Sequence, residues 1–354
     1  MTPLVRTALR EALRTANSAH PGLMLQRGWS DFVQTDSQNE GAGGKTEHLA
    51  RIYAMTTAPI YDRALHRWLK ATADTTRFRH ATMKIEGRLL IGLAGGGALE
   101  TGCAVSQTWG TPYLPGSSIK GVVRAHAEQA LGPDHPAVRE IFGTDADEGD
   151  PAGLSGLVAF HDAWWIPGSG KNRPFVGEVV TPHHSGYYGS EGEVPATDLD
   201  SPMPNAMVGV HGAFLFTLEA PTHWLDAAQE LLQQALSDQG VGAKTRAGYG
   251  YFAPAGDLLK PLLDKIRAQS AQQNFAKAKL HRDPSTGNIK AVLEDKRTTP
   301  PLGGITAQNL LDKLPEDQRN GKKIKDGKLV VEVRVKTEGN MLTLIDLRPV
   351  TDAV

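Results

Sequence analysis

Two short segments concentrate the groups that hold phosphate. Residues 112–124 read Pro-Tyr-Leu-Pro-Gly-Ser-Ser-Ile-Lys-Gly-Val-Val-Arg, and residues 240–252 read Gly-Val-Gly-Ala-Lys-Thr-Arg-Ala-Gly-Tyr-Gly-Tyr-Phe. In the first, Pro115-Gly116 predicts a turn and Ser117 or Ser118 a helix cap, which leaves backbone N–H groups and the positive helix end facing outward. Lys120 and Arg124 then share a helical face, with no acidic residue to pair until Glu128. In the second, Gly240, Gly242, Gly248 and Gly250 let the backbone approach a ligand. Lys244 and Arg246 flank Thr245 as cations, and Tyr249, Tyr251 and Phe252 offer flat apolar faces. The common ligand of both segments is a polyanion, and the two are expected to form parts of one site.

A nucleotide-hydrolysing P-loop does not fit. Ala243-Lys244-Thr245 ends like one, but the glycines required at 238 and 243 are Asp238 and Ala243; around Gly116, Ser-Ser stands where Lys-Ser/Thr is needed. His161, Asp162, His183 and His184 raise metal binding or acid–base cleavage of RNA as alternatives. Adjacent histidines such as His183 and His184 point in different directions, however, and Asp162 fits a strand-end turn. For 181–189, with His183, His184, Tyr187 and Tyr188, the preferred reading is an RNA or partner contact in which the tyrosines stack on bases. No metal and no cofactor is assigned. Trp164 and Trp165 suit either the core or a subunit interface. Lys322, Lys323, Lys325 and Lys328 read as a solvated run, or as an auxiliary RNA or subunit contact.

The bulk numbers limit the setting. The chain has 354 residues, is 40% hydrophobic and 22% charged, and carries a net charge of −1. That is globular composition with room for two or three domains. The charge is uneven: residues 257–354 hold 18 Lys/Arg against 13 Asp/Glu, a balance of +5, leaving −6 for the remainder. Basic surface must therefore be local. Cys103 is the single cysteine, so neither an internal disulfide nor a Cys-based zinc site is expected, and a reducing cytoplasm fits. No signal-peptide core or membrane-length apolar run is read.

Stepping along the chain, residues 3–17 pattern as a short helix and 45–73 as two packed helices divided at Pro59, with a mobile glycine-rich loop at 32–44. Strands are expected at 82–93, 156–165, 206–218 and 249–253, with a turn at 94–97. Helices are expected at 117–131 and 223–236. Residues 166–205 read as a long irregular insert of functional kind. Beyond 257 the pattern predicts a polar helix over 258–280, a linker over 281–304 and a hairpin over 328–348 turning at Gly339-Asn340. The expected division is a helical region 1–78, a domain 79–256 with its insertion near 166–205, and an extension 257–354. Strand, helix, strand, strand, helix, strand over 80–255 fits an α+β, ferredoxin-like (RRM-like) sandwich, which alone fixes no function.

Gly116-Ser-Ser-Ile-Lys-Gly121 with Arg124, followed by Gly240-Val-Gly-Ala-Lys-Thr-Arg-Ala-Gly-Tyr-Gly250, resembles the RAMP proteins of CRISPR effectors, the second element resembling that superfamily's C-terminal glycine-rich loop. Phe160-His-Asp-Ala-Trp164 and Val180-Thr-Pro-His-His-Ser-Gly-Tyr-Tyr188 are similar to the subunit-6 family of the type III-B (Cmr) complex. The resemblance covers about residues 80–255. It implies an RRM-like fold without catalysis by this subunit and binding toward the 3′ end of the crRNA, with target RNA held alongside. It also implies contacts with the repeated backbone subunit, the small helical subunit and a second capping RAMP subunit. Gly116, Ser117, Ser118, Lys120, Arg124, Gly242, Lys244, Thr245, Arg246 and Gly248 become the expected RNA contacts. The runner-up is a RAMP endoribonuclease that processes CRISPR RNA through His161 or His183, and a third reading is an assembly subunit that touches little RNA.

Overall fold

The computed structural model describes residues 2–3, 5–15, 19–29, 31–32, 40–95, 99–145, 153–256, 258–273, 275–319, 322–338 and 341–350. The chain is α+β and divides into two compact units, Met1–Pro261 and Leu262–Val354.

The first unit opens with helices α1 (Thr7–Thr15), α2 (Pro21–Arg27), α3 (Glu40–Tyr53) and α4 (Pro59–Ala71). Pro59 occupies the first turn of α4, where its missing N–H costs nothing, so it starts a helix and separates it from α3. The loop expected at 32–44 is corrected. Gly41, Gly43 and Gly44 lie within α3, because extending a helix already anchored by buried Leu49 and Ile52 is far easier than nucleating one. Residues 33–39 of that loop lie outside the described residues, as do 96–97 of the expected 94–97 turn.

A central antiparallel sheet follows. Its strands are β1 (Phe78–Glu86), β2 (Tyr113–Leu114), β3 (Ala159–Phe160), β4 (Ala163–Trp165), β7 (Ala213–Glu219) and β8 (Tyr251–Pro254), in the order β8-β1-β7-β4-β2 with β3 also on β7. Helix α5 (Gly116–Leu131) follows β2, α6 (Pro136–Phe142) follows α5, and α7 (Thr222–Asp238) joins β7 to β8. Taking β3 and β4 as one interrupted strand, the four main strands therefore lie in the order fourth, first, third, second.

One sheet face is sealed by α5 and α7. Ile119, Val123 and Ala127 of α5 and Leu225, Ala228 and Leu232 of α7 pack with Met83, Phe214, Phe216 and Phe252 in one core. Each such side chain contributes on the order of 2 kcal/mol of burial. The other face is covered in part. Helix α4 lies on it, with Trp68 donating to Thr217 Oγ1 at 3.2 Å, Thr72 Oγ1 2.8 Å from His80 Nε2, and the Tyr61 hydroxyl donating to the Trp165 carbonyl at 2.8 Å. Helix α4 thus covers that face over β4, β7 and the first part of β1, while Lys84 and Glu86 near the end of β1 stay exposed.

The strand expected at 206–218 breaks into β6 (Asn205–Val210) and β7, which belong to different sheets. Gly212 makes the break. Its φ of +99° suits glycine, and a Cβ there would lie 2.8 Å from both Trp165 Nε1 and Ser169 Oγ. The insert expected to be irregular contains β5 (Phe175–Val180), paired with β6, and a short helix at Ser185–Gly189. Its polar composition concealed a two-stranded ribbon whose alternation runs over only six residues.

Helix α8 (Lys260–Gln273) starts at the end of the first unit and runs into the second, giving way at Phe275 to strand where the sequence predicted helix to 280. The second unit's sheet has the order β10 (Ile289–Leu293), β9 (Phe275–Arg282), β11 (Leu329–Glu338), β12 (Met341–Pro349). The expected linker thus contributes a strand, β10. It is recruited by pairing with β9 and by burying Ile289, Ala291 and Leu293. The last two strands form the expected hairpin, with its Gly339-Asn340 turn outside the described residues. Helix α9 (Gly304–Leu311) supplies Ala307, Leu310 and Leu311 to the same core. Lys322, Lys323, Lys325 and Lys328 are exposed around a one-turn helix that buries Ile324. Among the described residues no helix is long and apolar enough to cross a membrane.

Candidate nucleic-acid interface

The 240–250 loop has a rigid neck and an exposed tip. At the neck, Val241 N–H donates to the Gly250 carbonyl at 2.9 Å, Gly250 N–H to Arg88 at 2.8 Å and Ala243 N–H to Leu90 at 2.7 Å. This close docking requires glycine. A Cβ on Gly250 would sit 2.0 Å from the Val241 carbonyl oxygen, and one on Gly242 2.5 Å from that of Leu90. At the tip, Thr245–Ala247 forms a 3-10 turn between Lys244 and Gly248. Lys244 is left-handed at φ +59°, a conformation that costs a non-glycine residue about 1–2 kcal/mol. Lys244 and Arg246 are exposed, and neither makes an ion pair among the described residues. Tyr249 is half-buried; burial, helped by the charge of Glu178, pushes its phenol pKa up.

The helix start at Gly116 is internally satisfied. The cap is not Ser117 or Ser118, which lie inside the first turn after an N-cap at Pro115. Instead Gly116 N–H donates to Asp162 Oδ1 at 2.7 Å. A carboxylate thus already occupies the positive end of α5, supplied from the turn between β3 and β4. Gly116 lies so close to this turn that a Cβ would meet the Phe160 carbonyl oxygen at 2.0 Å. Ser117 and Ser118 are exposed, and Lys120 is half-buried. Arg124 Nε donates to Glu128 Oε1 at 2.7 Å, so its charge is paired along the helix.

The two elements are not brought to one cradle. The start of α5 docks on β3 and β4, whereas the loop docks on residues just past β1 and leads into β8. In the sheet order, β4 and β8 are three strand spacings apart, about 14 Å across the sheet. A single composite site was expected because one element starts the first long helix of the sandwich and the other leaves the second for the last strand; the 29 residues between β1 and α5, which include β2, carry the start of α5 to the β4 side of the sheet instead.

His161 is held in a polar and aromatic cluster. Its Nε2 is 3.0 Å from Glu219 Oε2, and Arg77 binds the other Glu219 oxygen. Burial disfavours the Glu219 carboxylate, but the bonds from Arg77 and His161 outweigh it and hold its pKa below the usual range. Trp68 meets the His161 ring edge-on at 5.2 Å. Trp165 is core, donating to the His211 carbonyl at 2.7 Å, while Trp164 stacks on Tyr61 at 5.7 Å and on Trp68 at 6.0 Å. Trp109, Tyr61, Tyr113, Trp164 and Asp162 line a cavity of about 390 Å³. His183 is exposed, while His184 Nδ1 lies 2.9 Å from Asp200 Oδ2. That bond, with one from Thr197 N–H, lowers the Asp200 pKa. Tyr187 and Tyr188 meet edge-to-face at 5.5 Å, and Tyr188 is 71% exposed, free to stack on a partner. No group of three His, Cys, Asp or Glu side chains suited to a metal occurs among the described residues.

Three residues have roles that the sequence does not announce. Asp162 as helix cap had a signal, its position two residues past an apolar strand, but not a partner. Glu219 and Arg77 had none, since their pairing depends on β7 returning beside β1.

Comparison with known proteins gives a family match for the sheet-and-helix segment. Residues 82–253 match the model of the RAMP superfamily, beginning in β1 and ending in β8. The match is to just under half of the chain. Among curated relatives, a CRISPR system Cmr subunit Cmr6 of Pyrococcus furiosus is 25% identical over 228 residues, covering 47% of this chain and 65% of that one. A CMR subunit Cmr6 of Saccharolobus solfataricus is 36% identical over 101 residues, covering 28% of this chain and 32% of that one. The chain thus spans less than two thirds of either relative. Among solved structures, a chain of a type III-B Cmr-beta complex bound to cognate target RNA is 21% identical with a TM-score of 0.47, covering 63% of this chain and 77% of that one.

Proposed function

We propose that this chain is a RAMP protein and a non-catalytic RNA-binding subunit of a type III-B CRISPR effector. It caps the complex's backbone near the 3′ end of the crRNA and helps to position crRNA and target RNA for antiviral defence. Its partners are the repeated backbone subunit, the small helical subunit and a second capping RAMP subunit, in the cytoplasm. The names of the two curated relatives support this reading. The fourth-first-third-second strand order with two helices on one face supports a ferredoxin-like core. We read that core as 79–256, with 1–78 as a helical region and 257–354 as an extension.

The observation that carries the mechanism is the pair of unpaired, exposed cations, Lys244 and Arg246, on a loop whose neck is fixed to the sheet. They hold phosphate without reading sequence, and specificity is left to base pairing. Gly242, Thr245 and Gly248 shape that loop. Gly116, Ser117, Ser118 and Lys120 form a weaker contact, with Arg124 weaker still because Glu128 neutralises it. His183, His184, Tyr187 and Tyr188 provide a base or partner contact. His161 serves the Glu219 and Arg77 cluster rather than acid–base chemistry.

Co-expression with the other effector subunits tests the reading. This chain should be recovered with them and with crRNA, and the purified chain should leave repeat RNA intact. Metal-independent cleavage lost in His161→Ala would establish the ribonuclease instead.

A further inference from the structure

The second unit carries a basic sheet face that the RAMP match does not reach. Side chains alternate along β9, β10 and β11. Ala278, Leu280, Ile289, Ala291, Val331 and Val333 point to the helices and are buried with Leu310, Leu311 and Ile324. The residues between them project from the opposite face: Lys277 and Lys279 on β9, Lys290 on β10, and Val330, 45% exposed, on β11. The register sets Lys279 against both Val292 and Val330, so the lysines sit in adjacent strands on one surface.

The acidic groups of this face are already engaged. Glu332 accepts from Arg348 Nε at 2.6 Å, and Asp346 accepts from Lys313 at 2.7 Å with Arg334 3.6 Å away. Lys277, Lys279 and Lys290 make no ion pair among the described residues. Beside them, the Arg348 guanidinium lies 4.2 Å from the Phe275 ring centroid, with Arg334 at 5.9 Å. Phe275 and Glu332 together fix the Arg348 plane. A guanidinium held in this way is a stacking surface for a base, and lysines spaced along neighbouring strands suit successive phosphates.

We propose that this face binds single-stranded RNA, without sequence preference, as a second site separate from the 240–250 loop. The charge argument selects the occupant. Three cations without an ion pair among the described residues, Lys277 opposite the Arg348-bound Glu332, complement with the fixed arginine plane a flexible polyanion with accessible bases, whereas an apolar protein surface would leave the lysines unpaired.

The test uses the full chain, a fluorescein-labelled oligouridylate and fluorescence anisotropy. Lys277→Glu, Lys279→Glu and Lys290→Glu together should weaken binding about 10-fold or more at 0.1 M salt, and should lower the slope of log affinity against log salt by about 2. Arg348→Gln, which leaves the lysines in place, should weaken oligouridylate binding while changing the salt slope little. Circular dichroism and the unfolding midpoint report whether each variant keeps its fold. Absence of oligouridylate binding by the unaltered chain overturns the proposal. So does unchanged affinity in the folded triple variant. These readouts are independent of Lys244 and Arg246, so the loop reading stands or falls separately.

Discussion

The helix start at Gly116 and the loop at 240–250 carry nearly the same chemistry as sequence, and the fold treats them in opposite ways. Each joins glycines to two cations. At the helix start, Asp162 binds the first backbone N–H and Glu128 binds Arg124, so most of the positive charge is consumed inside the molecule. In the loop, backbone bonds fix only the neck, and Lys244 and Arg246 remain exposed. Glycines and cations together therefore do not ensure that the cations stay unpaired. Where the neighbouring chain supplies carboxylates decides the outcome.

The sharpest way to break the comparison is through the glycines. Gly250→Ala forces a left-handed alanine at φ +78° with its Cβ 2.0 Å from a carbonyl, and it should cost about 3 kcal/mol or more. Gly248→Ala has the φ penalty alone, since nothing lies within 4 Å, and should cost only about 1 kcal/mol. Denaturant midpoints at constant m compare the two; equal losses would mean that the neck is not closely packed. Removing the cap by Asp162→Ala should cost about 1 kcal/mol. If α5 is neutralised as described, the same change should strengthen anion binding at the helix start rather than abolish it, as titration with inorganic phosphate would report.

Lys244→Gly separates stability from function. Relief of the left-handed lysine should stabilise the chain by up to about 1 kcal/mol while RNA binding falls. A loss of stability would show that the Lys244 side chain has a structural role. The smallest effect concerns acid. The lowered Glu219 pKa means that its ionised form favours the fold at every pH above the ordinary glutamate value of about 4.3. That contribution is lost as the pH falls through the lower, folded-state value. Glu219→Gln should therefore lower Tm at pH 7, and the difference from the unaltered chain should shrink below about pH 4.

Much of this is legible in the sequence alone. The 117–131 and 223–236 helices, the division at Pro59 and the final hairpin follow from periodicity and punctuation, because each is specified over ten or more residues. The pairing of β5 with β6, the recruitment of β10 and the break at Gly212 were not legible. The first and the last depend on partners distant in sequence, whereas β10 forms a local hairpin with β9 that the Pro- and Gly-rich composition of 281–304 conceals. The same limit governs the site: glycines and cations announced themselves, while Asp162 and Glu219 acted from 46 and 58 residues away, on Gly116 and His161.

The central claim is tested most directly by crRNA retention in the assembled effector with two charge-reversed forms of this chain. Lys244→Glu with Arg246→Glu should reduce retention about 10-fold or more and flatten its salt dependence, whereas Lys120→Glu with Arg124→Glu should change it less than about threefold. Equal losses from the two pairs, or a larger loss from the helix pair, would contradict the account.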